Sequence, residues 1–157
     1  MRLVFLGAPG VGKGTQADKA AVHYRIRKIS TGDLLREAVR IQSSLGCEAK
    51  EHMDQGRLVP DSVVIGLVLE RLADPACANG FILDGYPRTL AQADAVEAML
   101  ASKGIKLDAV IELLVDDKAL VGRIVKRAEE AKAAGKPVRK DDTPEVFDER
   151  LREYYKK

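Results

Sequence analysis

A chain of 157 residues, 46% hydrophobic and 32% charged, is long enough for one compact domain with a buried core. Its 26 Lys and Arg against 24 Asp and Glu leave a net charge of +2. That balance argues against a broad basic face for nucleic acid or membrane, so any anion site must be local. The cysteines Cys47 and Cys77 have no paired spacing, so neither a disulfide framework nor a structural zinc site is expected. No apolar run approaches the roughly 18 residues of a membrane span, and the N-terminal run is too short for a signal-peptide core. The chain therefore reads as a cytoplasmic protein with reduced thiols.

Leu3 to Leu6 is the first apolar run and reads as a buried strand; it feeds a glycine-rich turn and then a helical segment. A weaker strand is expected at Arg27 to Ile29. Ser30 and Thr31 are placed to cap a helix carrying Leu34, Leu35, Ala38 and Val39, with Asp33 in its first turn. Asp61 precedes a helical stripe of Val64, Ile65, Val68, Leu69 and Leu72. Phe81 to Leu83 is a second buried strand, and Thr89 caps a helix through Leu90, Ala93, Val96 and Leu100. Val110 to Val115 is the third buried run. Helix is expected from Leu120 to Ala134, stopped by Gly135, with 133–137 as a hinge or short flap. Thr143-Pro144-Glu145 supplies a cap, a first-turn proline and an early acid before Val146, Phe147, Leu151 and Tyr154. Strands alternating with helices predict an α/β fold, a parallel sheet covered on both faces.

The turn itself reads Gly7-Ala8-Pro9-Gly10-Val11-Gly12-Lys13-Gly14-Thr15. Glycines let successive backbone N–H groups aim at one anion, the following helix start adds partial positive charge, and Lys13 can reach the outer phosphates. Thr15 offers a hydroxyl to magnesium or a phosphate oxygen. In the general phosphate-loop pattern Ser or Thr follows the lysine directly; here Gly14 holds that place.

Continued to Gln16, this motif resembles the nucleoside-monophosphate kinases, and four further segments match that family in order. They are Ser30 to Arg36, Asp84-Gly85-Tyr86-Pro87-Arg88-Thr89, Arg123-Ile124-Val125-Lys126-Arg127 and Arg139-Lys140-Asp141-Asp142, with Arg150 following. The resemblance runs from Met1 to Lys157. It implies a P-loop NTPase-type sheet with core segments 1–29, 80–127 and 140–157, a helical monophosphate-binding region at about 30–60 and a short lid at about 128–139. Among these kinases the chain is most similar to the adenylate kinases, which move a phosphoryl group reversibly between ATP and AMP to give two ADP.

By the same resemblance, Gly10, Gly12, Lys13, Gly14, Thr15, Arg123 and Arg127 bind ATP, with Arg123 stacking on its adenine. Thr31, Arg36, Gly85, Arg88, Gln92, Arg139 and Arg150 serve AMP, and Lys13, Arg88, Arg127, Arg139 and Arg150 meet the transferring group. Asp84 resembles the carboxylate that holds magnesium through water, and Asp141 and Asp142 look like helpers on the lid. These residue types suit the chemistry, because phosphoryl transfer asks mainly for alignment and charge cancellation, and the arginine fork grips phosphate oxygens in pairs. Taken singly, Arg123 and Arg127 read more readily as solvated charges or partners of a nearby Glu, and Asp84, Asp33, Asp141 and Asp142 as turn or capping acids.

Thr31 and Gln92 resemble the AMP type, and a helical stripe from Gly56 through Val64 would wall that site. UMP or CMP as acceptor remains an alternative, as do a capping role for Thr31 and a surface role for Gln92. The segment between Arg127 and Arg139 holds no cysteine or histidine, so no zinc is expected in the lid. Family members usually continue past Tyr154-Tyr155 with a further strand and helix. Their apparent absence would expose a sheet edge, which invites association, and it leaves open a nucleotide-binding fragment without turnover. The complete enzyme is expected to be a monomer, with no nucleic-acid or membrane partner.

Overall fold

A computed structural model of the chain describes residues 1–135, 138–139 and 142–156. Asp141, expected as a lid helper, and residues 136 and 137 of the expected flap lie outside them. The elements run β1 (Arg2–Gly7), α1 (Lys13–Tyr24), β2 (Arg27–Ser30), α2 (Thr31–Arg40), α3 (Ser44–Asp54), α4 (Asp61–Leu72), a short 3-10 turn (Pro75–Cys77), β3 (Phe81–Asp84), α5 (Leu90–Ser102), β4 (Ala109–Leu113), α6 (Asp117–Ala133) and α7 (Pro144–Tyr155).

The four strands form one parallel sheet in the order β2-β3-β1-β4. In β1 the side chains alternate between two cores. Leu3 and Phe5 join Ile82 and pack on Ala17 of α1, whereas Val4 joins Ile29 and Leu83 in the larger cluster under α2, α4 and α5. This period of two is what puts helices on both faces of a parallel sheet. A third cluster of Ala8, Val11, Leu120, Ile124 and Phe147 fastens α6 and α7 beneath the glycine-rich turn.

β4 departs from expectation. It ends at Leu113 rather than Val115, and it is not buried: Val110 is 57% and Ile111 39% exposed. It pairs with β1 on one side and with no other strand among the described residues, so an apolar composition here marks a sheet edge.

Local chemistry fixes the helix starts. Ser30, Ser43, Thr89 and Thr143 each accept a hydrogen bond from a backbone N–H in the first turn of α2, α3, α5 and α7. α3 was not expected from the sequence. It buries only Gly46 and Ala49, too few to write an apolar stripe. The expected stripe from Gly56 through Val64 is not one helix. Gly56 turns out of α3 at φ 71°, and α4 begins only after Pro60, whose ring lacks the N–H a continuing helix needs. Asp61 is then the first residue of α4.

Candidate functional site

The site forms at the carboxyl ends of β1 and β3, where chain direction and sheet order leave an open crevice. After β1 the chain turns through residues 8–12 into α1. Gly12 stands at the helix N-cap with φ 104°, a left-handed conformation that L side chains avoid. The first turn of α1 contains no acidic residue, so its N–H groups and dipole face the crevice without a counter-charge of their own.

Lys13 folds back over the turn. Its Nζ donates to the carbonyls of Gly7 at 2.7 Å and Ala8 at 2.9 Å. Burial lowers its pKa to about 8, and Arg88, Arg150 and Arg127 push the same way while Asp84 opposes them. Elements far apart in sequence therefore converge their cations on one point. Arg123, exposed on α6, donates from Nη1 to the Val11 carbonyl at 3.1 Å and so lies against the turn. Arg127 is gripped by the buried Asp142, with Nε to Oδ2 at 3.0 Å and a second, shorter contact from Nη2 to Oδ1.

Asp84 closes β3 and is buried. Among the described residues it has no hydrogen bond or ion pair. Burial raises its pKa, and the nearby Lys13 and Lys28 only partly offset that. A Cβ on Gly14 would stand 3.5 Å from Asp84 Oδ2, so the residue after the lysine lies beside this carboxylate. Thr15, one further on, is exposed.

Beyond Asp84, Gly85 takes φ 73°, and a Cβ there would come within 3.0 Å of Arg88 Nη2. Its carbonyl accepts from Thr31 Oγ1 at 3.0 Å and from Arg88 Nε at 2.7 Å. Gln92 is 2% exposed, with Oε1 accepting from Arg88 N at 2.8 Å and Nε2 donating to Asp61 Oδ1 at 2.7 Å. Across the crevice, Arg36 donates to Asp33 at 2.6 Å, and Arg139 stands 3.8 Å from the same carboxylate. Burial works to raise the Asp33 carboxyl, but Arg36, Ser30 and Arg139 together hold it below its usual value. Arg139 is itself lowered, first by burial and then by Arg36 and Arg127.

Two clusters result. Lys13, Asp84, Arg88, Arg127 and Arg150 make one; Arg36, Arg139 and Arg127 make an adjoining one held by Asp33 and Asp142. In the sequence Asp33 reads only as a helix-start acid, and Asp61 carries no mark of the site. The three-residue spacing of Asp33 and Arg36 on one helix was a usable signal for the first; Asp61 meets Gln92 only in three dimensions.

Fold and site define a class: a parallel α/β nucleotide domain of the phosphate-loop type, with several basic side chains gathered at the strand ends. Comparison with known proteins narrows it. The sequence model for adenylate kinase matches residues 5–157. The chain is 67% identical over 157 residues to an adenylate kinase of Chelativorans sp. (strain BNC1), covering all of this chain and 81% of that protein. It is 65% identical to one from Mesorhizobium japonicum, again over its whole length and 79% of the relative. A third, from Methylorubrum extorquens (strain PA1), is 57% identical over 99% of this chain and 78% of the relative. The chain belongs to the adenylate kinase family and is a phosphotransferase.

Proposed function

We propose that the chain transfers the terminal phosphoryl group of ATP to AMP, reversibly and without a covalent enzyme intermediate, so keeping adenine nucleotides in balance. The observation that carries this is the convergence of Lys13, Arg88, Arg127 and Arg150 on one point beside a carboxylate that has no hydrogen bond or ion pair among the described residues. Such a cluster is electrostatically unfavourable when empty and favourable around a polyphosphate.

ATP occupies the Gly10–Thr15 turn, its phosphates on the α1 N-terminus and Lys13, with Arg123 and Arg127 alongside. AMP lies between Thr31, Arg36, Gly85, Arg88, Gln92, Arg139 and Arg150, so that α2 and α3 form the monophosphate side. Arg88, Arg127, Arg139 and Arg150 brace the transferring group as charge spreads over its oxygens. No protein nucleophile is needed. Residues 128–139 act as the short lid that excludes water when both nucleotides are seated.

Magnesium fits the donors present. Asp84 is a buried, acceptor-only oxygen ligand beside the lysine turn, and no group of three or more His, Cys, Asp or Glu side chains suited to a metal occurs among the described residues. A single carboxylate suits an ion that keeps its waters and draws its other ligands from phosphate. Bound with ATP, magnesium would neutralise charge on the phosphate oxygens, and Asp84 would hold it through water. Among the described residues no helix is long and apolar enough to cross a membrane. A cytoplasmic monomer acting on ATP, AMP and ADP is the reading that goes with this chemistry.

A coupled assay with Mg·ATP and AMP, run beside UMP and CMP, tests the proposal. Turnover confined to AMP supports it. Turnover with UMP or CMP in preference moves the assignment to a pyrimidine acceptor, and nucleotide binding without turnover reduces the chain to a binding module.

A further inference from the structure

Asp61 opens α4, and Gln92 lies in the first turn of α5; their side chains meet over the Arg88 segment. The carboxylate accepts twice, from Gln92 Nε2 at Oδ1 and from Thr89 Oγ1 at Oδ2, each at 2.7 Å. At the other end of the same amide, Gln92 Oε1 accepts from Arg88 N at 2.8 Å. A carboxylate only accepts and a backbone N–H only donates. Between those two partners the amide has one satisfied orientation: nitrogen toward Asp61, oxygen toward Arg88. Turning it over would set N–H against N–H at one end and oxygen against a carboxylate at the other. Gln92 is almost wholly buried, so water cannot repair either mismatch.

We propose that Asp61 is a specificity-determining positioning residue: it fixes the donor–acceptor polarity of the Gln92 amide and so selects a 6-aminopurine monophosphate over a 6-oxopurine one. The inference rests on the AMP site proposed above, and takes Gln92 within it to face the base of the acceptor nucleotide. After its two internal bonds the amide keeps one N–H and one oxygen lone pair. A 6-aminopurine presents an acceptor at N1 and a donor at N6, which such an amide answers with its own donor and acceptor. A 6-oxopurine presents the reverse, a donor at N1 and an acceptor at O6. It would be answered only by the overturned amide, which the Asp61 carboxylate repels. Asp61 touches no nucleotide in this account; it acts through Gln92.

The test is calorimetric binding of AMP and of IMP to the chain and to Asp61→Asn, with a thermal melt of each protein. The introduced carboxamide can offer Gln92 either an oxygen or a nitrogen, so the repulsion at this end is lifted and only the Arg88 N–H still opposes the overturned amide. The chain itself is expected to prefer AMP, and in Asp61→Asn the ratio of AMP to IMP affinity should fall about tenfold or more. A purely structural role would weaken both ligands together and leave the ratio standing. Should Asp61→Asn not fold, Asp61→Ala removes the same repulsion and the same fall in ratio is expected. Equal binding of AMP and IMP by the unmodified chain, or an unchanged ratio in a folded variant, overturns the proposal. Binding does not depend on turnover, so an inactive chain that still discriminates AMP from IMP refutes phosphoryl transfer without touching the role of Asp61.

Discussion

Lys13 offers the sharpest test of the electrostatics. Burial and three arginines hold its pKa at about 8, against an ordinary value of 10.5. A polyphosphate placed over it supplies the missing counter-charge and should restore the ammonium form throughout the neutral and mildly alkaline range. Binding must then draw protons from solution. From a free-state value of about 8 the uptake should be about 0.1 proton at pH 7, about 0.5 at pH 8 and about 0.9 at pH 9. Phosphate groups do not obscure this trend, since their second ionisation lies near pH 6 and is complete well below pH 8. Titration calorimetry with ADP in buffers of different ionisation enthalpy reads the uptake directly. Lys13→Arg retains a cation that does not titrate here and should bind with no rise in uptake between pH 7 and pH 9. A flat profile in the native chain, or the same rise in Lys13→Arg, would refute the reasoning. The free protein gives a second reading of the same shift. Its unfolded state binds more protons at Lys13 between about pH 8 and 10.5, so the destabilisation due to this residue is full below that window and fades as pH rises through it.

Arg88→Ala should cut kcat by about two orders of magnitude or more while the far-UV spectrum stays native, because in the proposed reaction the guanidinium meets charge that grows in the transition state; near-normal turnover removes it from the mechanism. Asp84→Asn should do two opposite things. It should raise the magnesium concentration needed for half-maximal rate, measured by titrating the metal, and it should raise the melting temperature at pH 7. The carboxyl pKa is raised mainly by burial, so the folded state loses stability as pH climbs from the ordinary value through the raised one, and a neutral amide escapes that loss. Phe147→Ala should cost about 3–5 kcal/mol in denaturant unfolding, since the ring is fully buried against Leu120 and Ile124 under the glycine-rich turn. Affinity for ATP should fall with it.

Most of the fold was legible because strands and helices here announce themselves by composition and caps. Thr89, Thr143 and Ser30 sit where the cap chemistry required, and β1 and β3 coincide with short apolar runs. The failures have particular causes. α3 folds on close approach instead of an apolar face: a Cβ at Gly46 would lie 2.0 Å from the Ala38 carbonyl, so a glycine that weakens a helix in isolation is what lets this one dock on α2. The exposure of β4 depends on its place in the sheet, which no local pattern encodes. In the site, spaced motifs named Lys13, Arg88 and Arg139, but the ties from Asp33 to Arg139 and from Asp61 to Gln92 join segments by folding.

The place of β1 in the sheet also bears on how the chain comes to be folded. Its neighbours are Phe81–Asp84 on one side and Ala109–Leu113 on the other, so the first strand made is among the last to be completed. During synthesis at about 5–20 residues per second, Leu3, Val4 and Phe5 wait several seconds or more for a partner. Folding dominated by such distant pairings is slow relative to local helix formation. The segment that launches the glycine-rich turn therefore waits longer for its full set of neighbours than any other strand of the sheet.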